Sequence, residues 1–140
     1  MHTEHLQNVH PLWVAAGWLV AIATTSLVAL ALAALGLIGP ATDPGAIGIG
    51  AVALGFWIGG LFTGFRSLRA PILHGITIGL TSIVGWFVLN LLVFVFPSLR
   101  WEALTPLLTA ALLLVQMAAA VAGAWVGHRI ALRGGAELRE

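Results

Sequence analysis

Four long apolar runs follow one another in a chain of 140 residues, with only short polar or turn-rich segments between them. They cover residues 12–38, 46–65, 71–97 and 106–130. Each reaches or exceeds the ~20 residues a helix needs to cross the ~30 Å hydrocarbon layer of a bilayer. Composition closes the alternative of a water-soluble core: 60% of residues are apolar and 8% are charged, where a soluble surface draws on roughly a quarter charged residues. Strands of a membrane barrel would turn every second residue towards a polar lumen, which these uniform runs do not do. The sequence therefore predicts an all-α fold, an integral membrane bundle of four transmembrane helices. It comprises a polar tail (1–11), a single transmembrane domain (12–130) and a second tail (131–140).

The punctuation between the runs agrees with this reading. Gly39-Pro40-Ala41-Thr42-Asp43-Pro44-Gly45 is a cluster of turn formers,. Arg66 stops the second run, Arg69-Ala70-Pro71 opens the third, and Pro97 ends it. Residues 98–102 are amphipathic and expected at the interface, and Thr105-Pro106 reads as an N-cap followed by Pro at the first helical position,. The N-terminus lacks a basic region and its apolar stretch is about twice that of a secretion signal, so the first span is expected to be retained. With four spans, Arg66, Arg69, Arg129, Arg133 and Arg139 share one side and Arg100 stands alone on the other. The positive-inside rule then predicts both termini in the cytoplasm, for a multi-pass protein of a bacterial cytoplasmic (inner) membrane.

Several functions lose their chemical basis at once. Without cysteine there is no disulfide, thiolate metal site or sulfur nucleophile,. A net charge of +1 makes no nucleic-acid face,. No Asp, Glu, Lys or Arg lies inside a span apart from Arg129 at the end of the fourth, which removes the usual groups of a proton relay or ion path. The intramembrane polar residues are Asn90 and Gln116, each able to hydrogen-bond across helices,. Thr24, Thr25, Thr77, Thr81 and Ser82 are expected to bond their own backbone carbonyls,. No nucleophile–base pair, carboxylate dyad, phosphate loop or metal-binding motif is present, and no enzyme activity is expected.

The second run ends Gly60-Leu61-Phe62-Thr63-Gly64-Phe65-Arg66 and the fourth Gly123-Ala124-Trp125-Val126-Gly127-His128-Arg129, the same G-x-aromatic-x-G-x-R pattern 63 residues apart. His10 and His74 open the first and third runs in similar phase. This spacing predicts two tandem helical hairpins related by a pseudo-twofold along the membrane normal. Gly48, Gly55 and Gly59 share one helical face, and Gln116, Ala120, Gly123 and Gly127 another. Small residues let helices approach closely where lipid supplies no hydrophobic drive, so Gly55, Gly59, Gly60, Gly64, Gly123 and Gly127 are assigned to GxxxG-type helix packing,.

All five histidines (His2, His5, His10, His74, His128) fall on the predicted cytoplasmic side. His74 and His128, each near a helix end, are candidate axial ligands for a haem or chlorophyll-type pigment, against the alternative of interfacial histidines bonding carbonyls or headgroups,. Trp13, Trp18, Trp101 and Trp125 fit an aromatic belt, while Trp57 and Trp86 lie near midspan,.

The stretch Gly55-Phe56-Trp57-Ile58-Gly59-Gly60-Leu61-Phe62-Thr63-Gly64, with Arg66, then Leu73-His74-Gly75 and Gly79, resembles the YrzE-like family of small four-helix bacterial membrane proteins over residues 48–96. The resemblance implies architecture, with His74 at a recurring position, and no assigned activity. The expected function is that of a non-catalytic structural or assembly subunit packing against other subunits of a larger membrane complex. The rivals are a pigment-binding subunit using His74 or His128 and a small-solute or lipid carrier lined by Asn90 and Gln116.

Overall fold

The protein is all-helical in a computed structural model, which describes residues 9–38, 45–67, 70–95 and 106–137. Four helices follow in order: α1 (Pro11–Ala34), α2 (Gly45–Arg66), α3 (Pro71–Val95) and α4 (Pro106–Glu137). Each is long and apolar enough to cross a membrane. Three of them open on Pro, whose fixed φ suits the first helical turn and whose missing N–H leaves no orphan donor there,. At the head of α1 the His10 carbonyl accepts the amides of Trp13 (3.0 Å) and Val14 (3.2 Å).

The ends of α1 and α4 differ from the sequence expectation. The apolar run 12–38 predicts a helix to Ile38, but α1 stops at Ala34. Gly36 adopts φ +71°, its amide bonds Ala33 O at 3.0 Å, and the Leu37 amide bonds Leu32 O at 2.9 Å. That pair of bonds is a Schellman cap, and only glycine enters its left-handed position freely. At the other extreme, α4 continues past Ile130 to Glu137, carrying Arg133 on the helix. The polar tail 1–8 with His2 and His5, the 39–44 turn cluster, Arg69, the 98–102 segment with Arg100 and Trp101, Thr105 and Arg139 lie outside the described residues.

Contacts set the arrangement. The largest interface joins α2 and α4, which run parallel; α1 packs antiparallel on α2 and α3 antiparallel on α4. A smaller α1–α3 contact closes the ring. One end of the bundle thus gathers the start of α1, the end of α2, the start of α3 and the C-terminal part of α4, including His10, Arg66, His74 and Arg129. The core of Val14, Ala21, Phe56, Ile78 and Ala120 belongs to this arginine end and the adjoining middle. Ile78 is fully enclosed and reaches the notch left by Gly17 on α1.

Candidate functional site

Glycine shapes the α2–α4 seam. A Cβ placed on Gly60 would overlap the carbonyl oxygen of Ala120, and one on Gly64 that of Ala124. From the other side, a Cβ on Gly123 would overlap the Trp57 carbonyl and one on Gly127 the Leu61 carbonyl. The two helices therefore touch backbone to backbone, which only a hydrogen in place of a side chain permits. The contacts are reciprocal: Trp57 and Ala120 stand 63 residues apart, as do Gly60 and Gly123, and Leu61 with Ala124 repeats the relation. Gly55 and Gly59 face α1 instead, against Ala21, Thr25 and Gly17. Gly48 does not join them, because among the described residues nothing approaches within 4 Å of the position its Cβ would take.

At the arginine end the seam gives way to a buried polar cluster. His74 is 0% exposed. Its Nδ1 lies 2.8 Å from Ala70 O, and its Nε2 accepts the backbone N–H of His10 at 3.1 Å. A carbonyl only accepts and an amide only donates, so the proton resides on Nδ1 and the ring is neutral in this geometry. The Ser67 hydroxyl stands 3.2 Å from Nε2. One imidazole so ties the entry of α1 to the turn between α2 and α3. That turn includes Ala70 at φ +51°, a left-handed conformation unusual for a residue with a side chain,. Ala70 O accepts both the His74 amide (3.2 Å) and its ring, which holds the turn in place.

Thr63 completes the cluster from α2. Its hydroxyl lies 3.0 Å from Gly59 O and 3.3 Å from Trp13 O on α1, and a Cβ on Gly17 would collide with it. One helical turn further along α1, Trp18 Nε1 donates to Ser82 Oγ on α3 at 3.0 Å. Trp18 is thus an interhelical strut rather than a member of an aromatic belt. None of these partners is apparent in the sequence, because 64 residues separate His10 from His74 and Trp18 from Ser82. The available signals are small or polar residues inside otherwise apolar runs: Gly17, Thr63 and Ser82.

The remaining sequence candidates are dispersed. Asn90 does not reach another helix; its Nδ2 donates to Trp86 O at 2.8 Å, one turn back on α3. The physical reason is that no described side chain of α3 is buried beyond Ser82, so this part of the helix offers few partners across a seam. Thr25, Thr77 and Thr81 likewise bond carbonyls four residues back, at 2.8, 2.7 and 2.8 Å. Gln116 Oε1, Thr109 Oγ1 and His128 Nδ1 are buried without a hydrogen-bond partner among the described residues. The ring beside His74 is that of His10, at 6.4 Å between centroids; among the described residues no ring contact joins His128 to either. Among the described residues no three His, Cys, Asp or Glu side chains converge to hold a metal ion. A macrocycle would reach His74 Nε2 only after displacing the His10 amide and opening the α1–α3 contact.

The two motif arginines are anchored differently. Arg66 on α2 lies over the Trp13 ring of α1, 5.5 Å from its centroid. Arg129 stacks on Trp125 of its own helix at 3.9 Å. Beside Trp125, an open apolar groove of about 590 Å³ runs between α3 and α4, lined by residues that include Ile72, Ile76, Met117 and Val121. Compared with known proteins, the chain matches no family model, no curated protein and no solved structure.

Proposed function

We propose that this chain is a non-catalytic accessory subunit of a larger membrane complex, a compact helical anchor that offers protruding apolar helices to other subunits. The observation that carries this reading is the asymmetry of α3. Its first half supplies Ile78, His74 and Ser82 to the interior. From Ile83 to Val95 none of its described side chains is buried, and the exposed Trp86, Phe87, Leu89 and Leu92 point to different sides of the helix. A helix segment that is largely apolar and exposed all round is suited to packing against further transmembrane helices. The buried polar cluster supports a structural role too, since His74 spends both ring nitrogens on backbone groups.

Three further elements belong to the same proposal. The reciprocal α2–α4 contacts fit a duplicated hairpin held by GxxxG-type packing. Both termini are placed in the cytoplasm, on the side of Arg66, Arg129 and Arg133, and a bacterial inner membrane is the setting. The likeness to the YrzE-like family is carried forward as a proposal about descent.

The test is purification of the full chain from its native membrane in mild detergent, followed by native mass spectrometry. The expected result is a partner at fixed stoichiometry, lost when Phe87 and Leu91 are both changed to Ala while helicity is retained. A chain that runs alone at every detergent concentration, or a partner unaffected by the double change, would refute the reading.

A further inference from the structure

The groove between α3 and α4 has a specific shape and a charged end. Gly75 and Gly79 draw the two helices together, against Val121 and Met117. The flank then dips at Ala118 and Ala122, two small exposed residues between the larger Leu114 and Trp125. The resulting trough is walled by apolar atoms and stands open to the side. From Leu114 to Trp125 it extends ~16 Å at 1.5 Å per residue. That matches one leaflet, half of the ~30 Å hydrocarbon thickness.

Trp125 forms the end wall of the trough and the platform on which the Arg129 guanidinium rests, 3.9 Å from the ring centroid. Arg133 follows one turn later on α4, also exposed. The formally charged side chains that the structure describes are Arg66, Arg129 and Arg133. Arg66 is directed to Trp13 in the other half of the bundle, which leaves Arg129 and Arg133 to serve the groove.

We infer that the α3–α4 groove is a binding site for one anionic phospholipid, with an acyl chain laid along Ala118 and Ala122 and the phosphate held by Arg129. Apolar length, leaflet depth and positive charge coincide there, and a basic pocket between transmembrane helices near the interface is the chemistry that selects anionic headgroups. The site does not depend on the accessory-subunit reading, since it is complete within one chain.

The experiment is native mass spectrometry of the full chain, supplied with equal amounts of dioleoylphosphatidylglycerol and dioleoylphosphatidylcholine. One phosphatidylglycerol per chain is expected, preferred about fivefold or more over the neutral lipid, as one near-surface arginine provides. Arg129→Gln should remove that preference. Ala118→Leu with Ala122→Leu should fill the trough and abolish retention of the anionic lipid although both arginines remain. Arg129 is exposed, so its variant folds and tests the site even if the double variant does not. Equal retention of the two lipids by the unaltered chain would overturn the inference, as would unchanged retention in Arg129→Gln. A second copy of the chain occupying the groove, seen as a dimer that the Leu pair dissociates, would overturn it as well.

Discussion

The arginine end and the far end of this bundle are built from similar apolar sequence, yet they pack in opposite ways. At the arginine end, Gly59, Gly60, Gly64, Gly123 and Gly127 meet neighbouring backbone directly, and His74, Thr63 and Ser67 are buried among them. Towards the far end, among the described residues, nothing stands within 4 Å of a Cβ placed on Gly48 or Gly50, α1 buries nothing after Ala21 and α3 nothing after Ser82, although Thr109 on α4 is buried. The difference shows that hydrophobicity does not decide packing in lipid. What decides it is whether a glycine permits close approach and whether a polar group finds a partner across the gap.

The comparison is broken most severely at the seam. Gly60→Leu should push Ala120 and all of α4 away, at a loss of ~3 kcal/mol or more, whereas Gly50→Leu at the far end should change little. Unfolding free energies measured by steric trapping in bicelles would separate the two, and equal losses would erase the distinction between the ends. Next comes His74→Ala, which leaves a cavity, strands the His10 amide and leaves the Ala70 carbonyl only the residue-74 amide. A loss of ~2–3 kcal/mol is expected, together with faster hydrogen exchange at the His10 amide. Thr63→Val keeps the shape and removes the hydroxyl, for a loss of ~1 kcal/mol. Ser82→Ala deprives Trp18 of its acceptor; a loss of ~0.5–1 kcal/mol should accompany a shift in Trp18 indole N–H resonance. Smallest and opposite in sign is Gly50→Ala, which should stabilise α2 by up to ~1 kcal/mol because it meets no neighbour and improves helix propensity. A destabilised Gly50→Ala protein would mean that the far end is closed after all.

Much of the fold is legible in the sequence, for a simple reason. A backbone in hydrocarbon must satisfy its own hydrogen bonds, so an apolar run of sufficient length has little choice but helix. Turn formers at 39–45 and the prolines at 71 and 106 then mark the breaks. Gly36 was also visible, but inside a long apolar run a single glycine does not announce whether it continues a helix or caps it. The seam glycines were legible as a face, though not which helix each face meets: Gly60 and Gly64 turn to α4, while Gly55 and Gly59 turn to α1.

The polar cluster was the least legible part. His74 stands out as a histidine in an apolar run, and its chemistry alone equally allows a ligand role or a carbonyl bond. Its partner proves to be a backbone amide 64 residues away, and main-chain groups carry no sequence signature. Asn90 shows the converse: a residue chemically able to bridge helices bonds its own helix, in a stretch of α3 where no described side chain is buried.

The sequence by itself determined that this chain is a set of four helices suited to a membrane, where they begin and largely where they end, because those outcomes follow from local hydrogen bonding and transfer to lipid. Only the tertiary structure decided which end is tightly packed, which residues His74, Trp18 and the two arginines engage, and that a trough opens between α3 and α4. Those outcomes depend on which backbones approach one another, and close approach is set by pairs of residues far apart in the chain.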